Sequence, residues 1–262
     1  MNHFIIKNRK DVQKLSTLAI FAGKTMLSNG AETYRVEDTI NRICSSKENI
    51  KEVDSFVTQS GFFLTLEYEG EIFTYLKRVK DVGINLNKIN LVNDFSRQFV
   101  NQDISLEKGM KTLDEINNIP GYPKYLKILG GSYVSGFFSL MYGGSPQDFL
   151  PSFIASFISL IILDKLSKFN LTFFIDRFIG AFLSSLLAIF AVKLGIGVNL
   201  DKIIIGSIMY LVPGVSITNS IRDTMSGDSL SGLSKGIEAI LSALAIAFGV
   251  GIVLNLKSKG WI

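Results

Sequence analysis

The sequence holds one cysteine, Cys44, and one histidine, His3. A single cysteine excludes an internal disulfide and a multi-cysteine metal site, and in an amphipathic helix such a residue ordinarily only packs. A single histidine next to the terminus excludes a serine–histidine–aspartate triad and histidine-based metal chemistry. No phosphate-cradling G-x-x-x-x-G-K and no dinucleotide fingerprint occurs. Gly232-Leu233-Ser234-Lys235-Gly236 has the outline of a nucleophile elbow, but no strand pattern precedes it and no histidine serves it. Catalytic residues, cofactors and metal ions are therefore not expected, and the chain does not read as an enzyme. The net charge of +4 supplies no basic stripe for nucleic acid. The opening, MNHFIIKNRKDVQKL, lacks an apolar run long enough for a signal peptide, so the first half is expected to stay in the cytoplasm.

Charge is also scarce, at 19% of residues against 47% hydrophobic, but the scarcity is confined to one half. Residues 1–125 carry 17 basic and 16 acidic side chains, leaving 10 and 7 for residues 126–262. Charge density thus falls by roughly half past residue 125, as expected where a chain leaves water for lipid. The reading is an α+β cytoplasmic domain over residues 1–125, followed by an all-α membrane bundle over 126–262.

In the first half, apolar residues at helical spacing predict a helix over 10–28, with Asn29-Gly30 as its stop. Ala31-Glu32-Thr33-Tyr34-Arg35-Val36-Glu37-Asp38 leads into a second helix reaching about Ser46. Its dense charges read either as a solvated cap with local ion pairs or as a polar cluster on an internal face. From Ile50 the pattern turns extended, with breaks at Ser60-Gly61 and Glu69-Gly70, which predicts a hairpin-linked sheet. Two further helices are predicted over 86–101 and 106–119, the second opening at Ser105, before Pro120-Gly121-Tyr122-Pro123 closes the domain.

Five apolar runs follow, at about 126–142, 149–163, 173–192, 203–217 and 237–256. Two match the ~20 residues needed to cross a bilayer and the others are shorter, but five in succession predict a bundle of about five transmembrane helices. The distribution of lysine and arginine favours the amino-terminal domain inside. Small residues in the first and fifth runs, such as Gly130, Gly131, Ser135, Ala243, Ala247 and Gly251, mark close helix contacts. Asp176 and Arg177 open the third run, and each would cost about 2.5–3.5 kcal/mol at mid-bilayer. They read as snorkelling interface residues or as members of a substrate pathway.

The stretch 201–223, DKIIIGSIMYLVPGVSITNSIRD, holds the strongest local signal. An apolar helix broken at Pro213-Gly214 frees backbone groups that hydrocarbon cannot satisfy. Such a break either lines a cavity, as in secondary transporters, or simply ends a short span at the interface. Thr218, Asn219, Arg222, Asp223 and Asp228 beyond it are candidates for a substrate or ion pathway, with Pro213 and Gly214 as its hinge.

Two motifs resemble the threonine/serine exporter family, in particular its larger, YjjP-like part. One is Asn29-Gly-Ala-Glu-Thr-Tyr-Arg-Val-Glu-Asp-Thr-Ile-Asn-Arg42. The other is Pro213-Gly214 with Thr218-Asn219-Ser-Ile-Arg222-Asp223, then Ser226-Gly227-Asp228 and Ser231-Gly232. The resemblance covers nearly the whole chain and implies a plasma-membrane exporter of small polar metabolites, either threonine and serine or dicarboxylates such as succinate. In the fused form of the family a second membrane part follows in the same chain. Here the chain stops at Ile262, which implies a separate small membrane partner, with homo-oligomerisation also open. The first motif marks Glu32, Thr33, Tyr34, Arg35 and Glu37 as a cytoplasmic gate. Arg177 or Arg222 could grip a carboxylate, and Asp176, Asp223 or Asp228 could carry a proton or receive an ammonium group. The alternative is a membrane-anchored ligand-sensing or assembly subunit without transport of its own.

Overall fold

The computed structural model describes residues 6–80, 82–102, 104–169 and 171–262, so His3 lies outside the described residues. The chain forms two compact units, one of residues 1–121 with 218–235, the other of residues 122–217 with 236–262.

The first unit opens with helices α1 (Arg9–Leu27) and α2 (Thr33–Ser45). Asn8 caps α1 by accepting from the Asp11 amide, and Gly30, at φ +89°, makes the left-handed turn that ends it. Three strands follow, β1 (Lys51–Thr58), β2 (Gly61–Tyr68) and β3 (Glu71–Arg78), paired antiparallel in that order. Glu69 and Gly70 both take positive φ, as a two-residue hairpin loop with the twist of its flanking strands requires. Alternate residues of β2, namely Phe62, Leu64, Leu66 and Tyr68, are buried and point toward the helices. The opposite face is open, with Phe56, Phe63 and Leu76 side by side in register. Helices α3 (Leu86–Asn101) and α4 (Leu106–Asn118) complete the core, each capped as its sequence suggests, by Asn85 and by Ser105. Gly23 lets α1 and α2 touch, since a Cβ there would lie 2.5 Å from Ile40 Cδ1.

The second unit is helical: α5 (Lys124–Met141), α6 (Pro146–Leu166), α7 (Phe173–Lys193) and α8 (Leu200–Ile208), with the start of α9 (Gly214–Met225) and the greater part of α10 (Ser229–Ser258); residues 218–235 of these two helices belong to the first unit. A 3₁₀ turn over Met209–Leu211 ends α8, and α9 leaves at a bend of 59°. The five apolar runs thus all form helices, but among the described residues only α6 (with the 3₁₀ turn after it), α7 and α10 are long and apolar enough to cross a membrane, or four spans if the bent pair counts as one. The count of five is not reached because two lysines and several small polar residues keep α5 well short of the apolarity of the others. In each of the three, 33% of the apolar window is buried within the chain, leaving most of that surface facing outward. The fifth run also starts earlier than its hydropathy suggests, since α10 begins at Ser229 and not near Ile237.

Serine dominates the interior of this unit. Ser132, Ser135 and Ser139 on α5, Ser152, Ser156 and Ser159 on α6, Ser184 and Ser185 on α7 and Ser207 on α8 are all fully buried. Most return their hydroxyl hydrogen to a carbonyl of their own helix, such as Ser132 to Ile128 and Ser185 to Ala181. Satisfied in this way, a small side chain lets apolar helices approach without an orphaned polar group. Gly206 carries α8 against α5, where a Cβ would lie 2.7 Å from the Ser135 carbonyl oxygen.

Candidate functional site

The amino end of α2 and the α9–α10 hairpin meet within the first unit. Glu32 stands at the N-cap of α2 but its side chain does not cap the helix. The cap comes from far along the chain: Asp223 Oδ1 accepts from the Thr33 amide at 3.1 Å. The Thr33 hydroxyl donates to Asp228 Oδ2 at 2.7 Å, and Asn219 donates through Nδ2 to the Gly30 carbonyl at 3.1 Å. Freed from capping, Glu32 takes Arg222 Nη1 at 2.6 Å and Arg35 Nη1 at 3.2 Å, one on each carboxylate oxygen. Asp223 Oδ2 receives Lys235 Nζ at 2.7 Å. Asp223 is fully buried, as is almost all of Lys235. The hairpin itself is tight, because Gly232 lies against Thr224 and leaves no room for a Cβ.

This cluster separates two glutamates on one helix end. Burial pushes the Glu32 carboxyl up, but its own amide, Arg222 and Arg35 together outweigh that and hold it below the usual carboxylate range. Glu37, one turn on, accepts from the Val57 amide of β1 at 2.8 Å. Burial pushes its carboxyl above the usual range, and the carboxylates of Asp228, Asp54 and Asp223 add to the rise. Cys44 is buried and its thiol is pushed up to about 12 by burial alone, so it is an inert packing residue.

In the second unit, Asp176 and Arg177 lie in the first turn of α7 and line a cavity of about 330 Å³. Lys124, Lys127, Asp164 and Tyr210 share its wall, with Leu211 at the break before Pro213. Lys124 and Asp164 pair at 2.8 Å. Tyr210 Oη lies 3.4 Å from Ser184 Oγ, which donates to Ser159 Oγ at 3.1 Å, so a line of hydroxyls runs inward from the wall. The broken backbone is accounted for locally: Val212 donates to the Met209 carbonyl at 3.2 Å and Gly214 to the Val212 carbonyl at 2.9 Å.

The candidate residues therefore fall into two groups. Glu32, Thr33, Arg35, Asn219, Arg222, Asp223 and Asp228 share one network, with Glu37 beside it; Tyr34 is exposed at its edge and Thr218 opens the segment that joins the first unit. Asp176 and Arg177 belong to the second unit, as do Pro213 and Gly214 at the helix break. Three residues went unmarked by the sequence. Lys235 completes the buried charge pair, and Tyr210 was read only as part of an apolar run. Asp148, fully buried, ties the α6 start to the α7–α8 loop by accepting from the Ser145 amide and hydroxyl, the Val198 and Asn199 amides and Asn199 Nδ2. The Ser145-Pro-Gln-Asp148 spacing of a capping box was the available signal for it.

An α+β unit joined to long apolar helices with a bent pair among them defines a polytopic membrane protein of the transporter class rather than an enzyme. Residues 17–257 match the family described as putative threonine/serine exporter, and the chain belongs to that family. It is 23% identical over 256 residues to the probable succinate transporter subunit YjjP of Klebsiella aerogenes, covering 97% of this chain and 98% of that protein. The Escherichia coli K12 protein of the same name is 24% identical over 252 residues, covering 95% and 97%. The threonine/serine exporter of Corynebacterium glutamicum is 24% identical over 261 residues, covering 96% of this chain but 53% of its own length, so the chain spans about half of that relative. No solved structure matches significantly.

Proposed function

We propose that this chain is a transporter subunit that exports small polar metabolites, either threonine- and serine-type amino acids or dicarboxylates such as succinate, across the plasma membrane. The observation that carries the reading is the break at Pro213, where an apolar helix turns by 59° into a segment whose charges are held by the Glu32–Thr33 motif. A polar, bent span costs stability in a simple anchor, whereas an alternating pathway needs one. The Glu32–Arg35–Arg222 cluster serves as a gate on the cytoplasmic side. The lysine and arginine distribution supports that orientation. With α5 counted, its two lysines snorkelling at one end, the bundle has five spans.

A separate small membrane protein of the same family completes the transporter. Two supports favour it: the relatives covered almost end to end are named as subunits, and α10 leaves Ala243, Ala247 and Gly251 exposed at intervals of four. The test is efflux of labelled threonine, serine and succinate from vesicles holding this chain, with and without the partner. Cargo-specific efflux that needs the chain and grows with the partner is expected. Full efflux from this chain alone would refute the partner, and no efflux of any of the three with both proteins present would refute the transport reading.

A further inference from the structure

We propose that the cavity at the start of α7 seats the cargo's carboxylate, with Arg177 and Lys127 as its cationic partners and Asp176 as the group that sorts cargo by charge. The inference rests on the transport reading above. Of the five charged side chains in the cavity wall, Lys124 and Asp164 neutralise one another. Lys127, Arg177 and Asp176 form no ion pair within 4.0 Å among the described residues, although all three line the same space. Arg177 and Asp176 are consecutive on a helix, so their side chains diverge and cannot close on one another as an i,i+4 pair does. Arg177, partly shielded, and Lys127, exposed, stand in the same wall without a salt bridge among the described residues, and the planar fork of Arg177 suits a carboxylate in bidentate fashion.

Size and position agree. A space of about 330 Å³ lies at the small end of ligand sites, matching a four-carbon acid better than a larger solute. Tyr210 and Leu211 line it on one side, in the 3₁₀ turn that leads to the break, so a ligand here lies against that turn. Tyr210, whose hydroxyl lies 3.4 Å from that of buried Ser184, offers a hydrogen-bond partner to the far end of a bound molecule. Both named cargo classes share the carboxylate. They differ at the other end, where an amino acid brings an ammonium that Asp176 attracts and a dicarboxylate brings a second anion that Asp176 repels.

The experiment uses the full chain, purified into neutral phosphatidylcholine nanodiscs, with radiolabelled succinate and L-threonine as probes. Arg177→Gln and Lys127→Gln are each expected to weaken binding of both probes at least tenfold. Asp176→Asn is expected to weaken threonine at least fivefold and leave succinate equal or tighter. Lys193→Gln, at the other end of α7, is the unaffected control. Should Arg177→Gln fail to fold, the exposed Lys127→Gln decides the matter. A phosphatidylglycerol arm separates a lipid phosphate from cargo. If the variants lose affinity for that lipid while cargo binding is untouched, the cations hold a headgroup and the assignment is overturned. Wild-type binding that survives both substitutions overturns the site but leaves transport standing. Wild type that binds neither probe also overturns the site, and the vesicle efflux above then judges transport independently.

Discussion

Replacing Asp223 by alanine tests whether the two motifs are held together by charge. The carboxylate is fully buried, the Lys235 side chain is 9% exposed, and the two meet at 2.7 Å. Removing the acid leaves an ammonium group in the interior without a counter-charge, which costs about 3–5 kcal/mol. Losing the cap on the Thr33 amide adds about 1 kcal/mol. For a unit of this size each kcal/mol moves the melting temperature by roughly 2–8 °C, so the Asp223→Ala chain should melt about 10 °C or more below wild type. The assay is thermal unfolding of the detergent-purified chain, followed by loss of its monodisperse elution. The decisive comparison is the double variant Asp223→Asn with Lys235→Met, which removes both charges and keeps an acceptor for Thr33. It should recover most of the loss, because burying neither ion avoids the penalty that the single variant suffers. A single variant within about 3 °C of wild type, or a double variant no better than the single, would refute a buried ion pair as the lock.

Glu32 and Glu37 should respond to pH in opposite senses. Glu32 is held low, so its contribution is present above the usual carboxylate range and is lost as pH falls through its depressed value; Glu32→Gln should therefore lower the melting temperature at pH 7. Glu37 is held high, so its charge opposes folding at neutral pH and that opposition fades as pH falls through the raised value. Glu37→Gln keeps an acceptor for the Val57 amide and should melt at or above wild type at pH 7, with the difference shrinking toward pH 5. Gly206→Ala should cost about 1–3 kcal/mol, since its Cβ would meet Ser139 Cβ at 2.6 Å and the Ser135 carbonyl oxygen at 2.7 Å. Gly251→Ala, with nothing within 4 Å, should be neutral in the same melt. Asp148→Ala leaves three backbone amides without their acceptor and should lower expression of folded chain more than any surface acid does, as fluorescence-detected size exclusion would report.

What the sequence makes legible is local. Caps and turns announce themselves because their chemistry involves residues within four positions: Ser105 before α4, Asn29-Gly30 after α1, Glu69-Gly70 between β2 and β3. The break at Pro213 is legible for the same reason, as a ring without an amide hydrogen interrupts any helix ladder. The pairing of Thr33 with Asp223 is not, because 190 positions separate them and no periodicity reports tertiary contact. Hydropathy also misplaced the start of α10. Ser229–Lys235 is polar, so a window tuned to lipid begins only at Ile237, although the helix is continuous from Ser229. Those missing two turns bring Lys235 to Asp223. In α5, apolar residues among glycines and serines read as a span, and the helix forms over Lys124–Met141 with its apolarity lowered by two lysines and the small polar residues.

The segment 218–235 explains why the two motifs must be read as one device. It is drawn from α9 and α10, so its grip on Glu32 and Thr33 is covalently continuous with the break at Pro213 on one side and with the long apolar helix on the other. The network joins residues 190 positions apart in the chain. A network that saturated every acceptor would resemble Asp148, whose oxygens are occupied by five donors and which serves as a fixed knot. The Glu32 cluster differs in kind. Arg222 is half exposed, Arg35 about a third exposed, and burial with the carboxylates of Asp228, Asp54 and Asp223 holds the Glu37 carboxyl above its usual range. The arginine ends of these pairs are open to water, whereas the Glu32 carboxylate that they meet is buried. The buried Asp223–Lys235 pair keeps the hairpin seated, while the arginines leave part of their surface to water. In the proposed gate, the buried pair would supply the fixed contact and the arginines the contacts that change.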